Sequence, residues 1–179
     1  VKQTPKALEE AKQWYLKKLQ ADEQNYEETP CSESRRNLSM SYARLGNFAW
    51  AKKTPEGVEE AEQWFLKQLP LEKQKYEENQ SYENSRSLSI AYNRLGDLAK
   101  SKKTREGVAL AEEWFLKKLK IDDQNFQNNP NYISRRDLAI AYSRIGDIEC
   151  TKTDSEALIR AEKCHLKAFE LYNQNHGEK

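Results

Sequence analysis

Apolar residues along the chain fall into two alternating helical patterns. In one, Leu38, Ser41, Tyr42, Leu45, Phe48 and Ala49 share a face at about 100° per residue. That face returns as Leu88, Ala91, Tyr92, Leu95, Leu98 and Ala99, and again as Leu138, Ala141, Tyr142, Ile145 and Ile148. The second pattern is apolar over a wider arc, with Leu8, Ala11, Trp14, Tyr15, Leu19 and Tyr26 in its first copy. A wide arc suits a helix that touches a neighbour on each side. No stretch alternates at period two over strand length, so no sheet is expected. The narrow-faced helices are named A and the wide-faced ones B.

Start and stop signals bound both kinds. Thr54 offers a hydroxyl to a free amide of the first turn, and Pro55 follows where its missing N–H is not needed. Glu56 adds negative charge at the positive end of the helix dipole. Thr4-Pro5, Thr104-Arg105 and Asp154-Ser155-Glu156 are variants of this device. The B helices are expected to run from near Thr4, Thr54, Thr104 and Asp154 for roughly 20–25 residues. Glu28-Thr29-Pro30, Asn79-Gln80-Ser81 and Asn128-Asn129-Pro130-Asn131 end them. The A helices then span Ser32 to Lys52, Tyr82 to Lys102 and Tyr132 to Lys152. The order is B-A-B-A-B-A-B, seven helices joined by short turns.

The two patterns repeat at an interval of 50 residues. Trp14, Trp64 and Trp114 keep that step, with Cys164 in the fourth place. Lys17, Lys67, Lys117 and Lys167 keep it too, as do Gln24, Gln74, Gln124 and Gln174. Repeats of this length indicate a solenoid, in which each unit hides its apolar face by stacking on its neighbours. Gly46, Gly96 and Gly146 lie inside the A helices, where glycine costs about 1 kcal/mol against alanine. Close approach of a neighbouring helix is the expected reason. Pro70, inside a B helix, is expected to kink it near Leu66.

Composition narrows the function classes. Of the 179 residues 33% are charged, yet the net charge is +1, so no global field favours nucleic acid or a membrane surface. No apolar run approaches the ~20 residues of a membrane span. The three cysteines, Cys31, Cys150 and Cys164, lack metal-ligand spacing and point to a reduced, cytoplasmic setting. No phosphate-binding loop or metal motif is present, and no cofactor is expected. The two histidines, His165 and His176, have no Cys or Ser at a spacing that demands catalysis.

Tyr92-x-x-Leu95-Gly96 followed by Ala111-Glu112-x-x-Phe115-x-Lys117 resembles the tetratricopeptide repeat. Tyr142-x-x-Ile145-Gly146 and Ala161-Glu162-x-x-His165-x-Lys167-Ala168 repeat the likeness. The period here is longer than the usual ~34 residues, and the blocks from Arg86 to Asp97 and from Arg136 to Asp147 look like the long-period bacterial version. The resemblance implies an all-α solenoid over 1–179, a right-handed superhelix whose A helices line a concave groove. It also implies a protein-interaction scaffold, not an enzyme in itself. Arrays of this kind are often joined to signalling, ATPase or caspase-like effector domains, so a regulatory region of a larger effector enzyme is an alternative reading.

In such a groove the ligand meets the side of each A helix opposite the core. That stripe reads Arg36, Met40, Ala43, Asn47 and Trp50 in the first copy. It continues as Arg86, Ile90, Asn93, Asp97 and Lys100, then as Arg136, Ile140, Ser143, Asp147 and Cys150. Arg36, Arg86 and Arg136, with Asn47, Asn93, Asp97, Ser143 and Asp147, are the candidate partner-binding residues. With the flanking Asn and Ser these arginines are suited to hold the backbone or the acidic side chains of a peptide or protein partner, since guanidinium groups pair well with carboxylates. The competing reading is that these arginines pair with acids on adjacent repeats. Arg44, Arg94 and Arg144 are expected to bridge to Asn47, Asp97 and Asp147, either three residues on or between repeats. A helical-repeat RNA binder is a second alternative, disfavoured by the acids beside the arginines. The Trp series is read as repeat packing, and Gln24 and its counterparts as bonds to a neighbouring turn.

The two ends differ in sequence. The first B helix keeps its apolar arc with no A helix before it. In the last, Cys164 replaces Trp, and His165 and His176 replace aromatics. A polar outer face marks a terminal cap. The expectation is a capped C-terminal end and an open N-terminal one, continued upstream of Val1 or covered by self-association.

Overall fold

The computed structural model describes residues 5–176. Among them are seven helices and no strand: α1 Pro5–Glu28, α2 Ser32–Trp50, α3 Pro55–Glu78, α4 Tyr82–Ser101, α5 Arg105–Asn128, α6 Tyr132–Glu149 and α7 Ser155–His176. The chain is all-α, in the expected order. The helices form two compact units, Val1–Glu78 and Asn79–Lys179. In the first, α2 packs against α1 and α3. In the second, α5 packs against α4 and α6, and α7 packs against α6. No helix of the described residues is long and apolar enough to cross a membrane.

The caps explain the boundaries. Thr54 Oγ1 accepts from the Gly57 amide at 3.1 Å and Thr104 Oγ1 from Gly107 at 3.0 Å. Asp154 Oδ1 accepts from Ala157 at 2.7 Å. Thr4 lies outside the described residues. α2 and α6 begin with reciprocal caps, Cys31 with Ser34 and Asn131 with Ser134. The A helices stop one to three residues earlier than the sequence suggests. After α2 and α4 the chain reverses through Lys53 and Lys103, whose φ values of 55° and 54° lie in the left-handed region. Nothing in those lysines announces such a conformation, which usually falls to glycine.

The expected A faces form the core. Leu38, Leu45 and Ala49 are buried in the first unit, with Leu88, Ala91, Leu95, Leu98, Ala99, Leu138, Ala141, Ile145 and Ile148 in the second. The three A-helix glycines are seats for rings. A Cβ on Gly46 would overlap the ring of Phe65, and one on Gly96 the ring of Phe115. At Gly146 it would lie 2.7 Å from the imidazole of His165. Close helix approach is therefore the reason for glycine. The tryptophans pack as expected: Trp64 stacks on Tyr42 and Trp114 on Tyr92, at 6.0 and 5.6 Å between ring centres. Lys67 and Lys117 lie over those indoles at 4.9 and 4.3 Å, so their ammonium groups rest on ring faces.

The core also holds carboxylates. Asp122 on α5 is 1% exposed and accepts from Ser89 Oγ on α4 and from Lys118 Nζ, each at 2.5 Å. Glu72 on α3 repeats this one period earlier, accepting from Ser39 on α2 and from Lys75 at 2.8 Å. Where Tyr172 replaces the acid on α7, Ala139 replaces the serine on α6. A buried charge needs its donors, and donor and acceptor are lost together. Asp22, with no A helix before it, accepts instead from Ser41 on α2 at 2.5 Å.

Two expectations are corrected, on the glutamines and on the C-terminal end. Gln24 and Gln74 bond Glu28 and Glu78 one turn on within their own helices, at 2.7 and 3.0 Å, not a neighbouring turn. Pro70 lies inside α3, on an exposed side of a helix that runs from Pro55 to Glu78. The polar cap at the C-terminal end is overturned. Leu158 and Phe169 on α7 are more than half exposed, because no helix of the unit packs on that side; Ile159 and Leu166 are as exposed, at registers that lie open on α5 too. His176 lies outside the described side chains. Trp14 on α1 is 58% exposed.

Candidate partner-binding face

In the second unit α4 and α6 run parallel, tied by polar rungs. Near their starts Arg86 Nε donates to Asp137 Oδ2 at 2.6 Å. Near their ends the Arg144 guanidinium reaches Asp97, with Nη2 3.2 Å from Oδ2, and Lys100 Nζ reaches Asp147 Oδ2 at 3.0 Å. Asn93 Nδ2 adds a bond to Asp97 at 2.8 Å, and Arg136 Nη2 lies 3.2 Å from Asp137. The starting residues of α6 are positioned by the Asn131–Ser134 cap, which fixes the rotation of Arg136 and Asp137 about the helix axis.

Five of the eight candidate residues therefore have ionic or hydrogen-bonded partners inside the unit: Arg86, Asn93, Asp97, Arg136 and Asp147. For Arg86, Asp97 and Asp147 the inter-repeat pairing applies. The Arg144 bridge spans repeats, to Asp97, and its contact with Asp147 three residues on is a looser 4.0 Å. Ser143 is half-buried on α6. Arg36 and Asn47 lie on α2 in the first unit, both exposed. Ala43, expected on the same stripe, is buried, so the exposed side of α2 is narrower than its spacing suggests.

The rungs do not neutralise the face. Arg86, Lys100, Arg136 and Arg144 outnumber Asp97, Asp137 and Asp147. Burial raises the Asp97 carboxyl above its usual range, against the pull of Arg144 and the Asn93 bond, so its neighbours only partly offset its loss of solvation. Arg136 keeps 39% of its side chain exposed and Arg86 32%. Among the described residues no group of His, Cys, Asp and Glu is arranged to hold a metal ion. No family model, curated protein or solved structure matches the chain.

Proposed function

We propose that the chain is a protein-interaction module of tetratricopeptide type, which holds an acidic peptide or protein segment along the A-helix stripe. The observation that carries this reading is the surplus of half-exposed guanidinium groups on parallel helices α4 and α6, held in place by their own ion pairs. Side chains already fixed lose little freedom on binding, and a fixed guanidinium fork matches a carboxylate. The module has no chemistry of its own, and its setting is the cytoplasm.

Selection of peptides from a random displayed library on the purified protein tests this. Acidic sequences should be enriched, and Arg136→Ala should weaken the selected peptide by about 10- to 100-fold, the worth of a charge-assisted bond. A peptide set without acidic enrichment, or full affinity in a folded Arg136→Ala variant, would remove the stripe from the site. Single-stranded RNA titrated at about 50 and about 200 mM salt addresses the nucleic-acid reading, which requires a steep loss of affinity.

A further inference from the structure

The end of α6 differs from the ends of α2 and α4 in one local constellation. In the first unit Phe65 sits on Gly46, with Trp50 edge-on at 6.5 Å. In the second, Phe115 sits on Gly96, and Lys100 holds the position of Trp50. One period later the ring on Gly146 is His165, and the position holds Cys150. Cys150 Sγ lies 3.9 Å from His165 Nε2, within reach of a thiol hydrogen bond. Asp147 Oδ1 lies 3.9 Å from the same nitrogen. Phe65 and Phe115 are 1% and 0% exposed, whereas the His165 side chain is 41% exposed and Cys150 lies at the surface. A sealed aromatic seat has become an open thiol–imidazole pair beside a carboxylate.

We infer that Cys150, served by His165, is a site of reversible thiol modification by small disulfides. The surroundings say why the histidine is needed. Cys150 caps the C-terminal end of α6, where the helix dipole opposes a negative sulfur. The other oxygen of Asp147 is held by Lys100 from α4, with Arg144 of α6 nearby, and Cys164 is next to His165 on α7. At that end of the helix the proton of the thiol needs a base at hand. In the step, Nε2 accepts that proton as the sulfur attacks one sulfur of the incoming disulfide. The new S–S bond forms as the old one breaks. The departing thiolate takes the proton and leaves as a thiol, with the imidazole neutral again. Cys150 is oxidised and the released half is reduced, so the disulfide supplies the oxidising equivalents.

The other cysteines are internal references. Cys31 is exposed with its thiol lowered by its bonds to Ser34, and Cys164 is half-buried with its thiol raised by burial. The intact chain is treated with oxidised glutathione, and adduct formation at each cysteine is followed by peptide mass spectrometry. Cys150 should react faster than Cys164. His165→Phe, which installs the ring found at positions 65 and 115, should slow Cys150 about tenfold, a small share of what a positioned base supplies in an enzyme, and leave Cys31 unchanged. His165→Gln repeats the test should the new ring disturb packing, judged by the melting temperature of each variant. An unchanged Cys150 rate in a folded His165→Phe or His165→Gln protein would overturn the inference. So would equal slowing at Cys31, which would mark a global effect.

Discussion

In the second unit α5 lies between α4 and α6, whereas α7 lies against α6 alone. The two helices hold equivalent registers, and at several of them α7 carries the larger apolar residue. Val108 is partly buried, but Leu158 is 55% exposed. Leu119 packs into the core, but Phe169 is 60% exposed. Burial along a repeat is set by which neighbour is present, not by the hydrophobicity of the residue. The hidden side of α7 follows the same rule: Ala157, Ala161, Ala168 and Leu171, turned toward α6, are all buried. An exposed apolar row on one helix of an otherwise well-packed unit is the signature of an unfilled contact.

The largest expected effect tests that contrast directly. Phe115 is fully buried on its glycine seat, so Phe115→Ala should cost about 3–5 kcal/mol. Phe169→Ala should stay within about 0.5 kcal/mol, the range of surface substitutions. Urea denaturation of both variants decides it. A cost at Phe169 that approaches the cost at Phe115 would show that the open face of α7 is covered in solution.

Gly96→Val comes next. The added side chain must displace the ring of Phe115, and overpacking of this kind costs about 1–3 kcal/mol. Gly146→Val should cost less, because His165 is partly exposed and can swing outward. Equal melting temperatures for Gly96→Val and the parent would deny the seat any role.

Smaller again is the polar rung. Ser89→Ala removes a donor from Asp122 while Lys118 remains, and should cost about 1–3 kcal/mol. Ser89→Ala combined with Asp122→Tyr copies the Ala139 and Tyr172 pairing of the α6–α7 joint. If the loss of one partner is what hurts, the serine change should cost less in the Asp122→Tyr background than in the parent. A double-mutant cycle in urea reads this coupling, and additive costs would show that the two side chains are independent.

These residues show what the sequence reveals and what it hides. The glycine seats and the Tyr–Trp stacks were legible because each is announced at one register in several copies. The serine–carboxylate rungs were hidden, although Asp22, Glu72 and Asp122 also recur. Each acid finds its serine donor on a different helix, and for Asp22 that helix is the following one. Recurrence along the chain does not name the neighbour. The stripe was legible as a set of positions, but its ion pairs depend on how far α4 is offset from α6, which no spacing gives. The pairing of Cys150 with His165 was hidden for the same reason. The face of α7 was misjudged because three polar replacements drew attention from Leu158 and Phe169, which lie on the side that no helix of the unit covers.

The last expected effect is electrostatic and the smallest. Where the α4–α5 joint has buried Ala99 and partly buried Leu110, the α6–α7 joint has Glu149 and Arg160, with Arg160 Nε 2.9 Å from Glu149 Oε2. Lys152 also reaches Glu149, at 2.7 Å. Burial pushes the Glu149 carboxyl up, but the bonds to Lys152 and Arg160 outweigh it and hold it below the usual range. A carboxyl that is more acidic in the folded state contributes stability above its unfolded value of about 4.3, and that contribution fades as pH falls through the folded value. Replacing one partner alone strands the others, because Lys152 is also bonded to Glu112 and Arg160 lies near Asp154 and Glu156. The informative variant is therefore the double change Glu149→Ala with Arg160→Leu, which gives the α6–α7 joint the residues of the α4–α5 joint. Relative to this variant the parent should lose ground as pH falls from about 6 to about 3, since only the parent has this carboxylate to protonate. Acids away from Arg160 and Lys152 have the same surroundings in both proteins and cancel in the difference, whereas Asp154 and Glu156, which lose Arg160 in the variant, add to the same trend. A gap in urea midpoint that stays constant over that range would mean that Glu149 contributes no more to α7 than Ala99 does to α5.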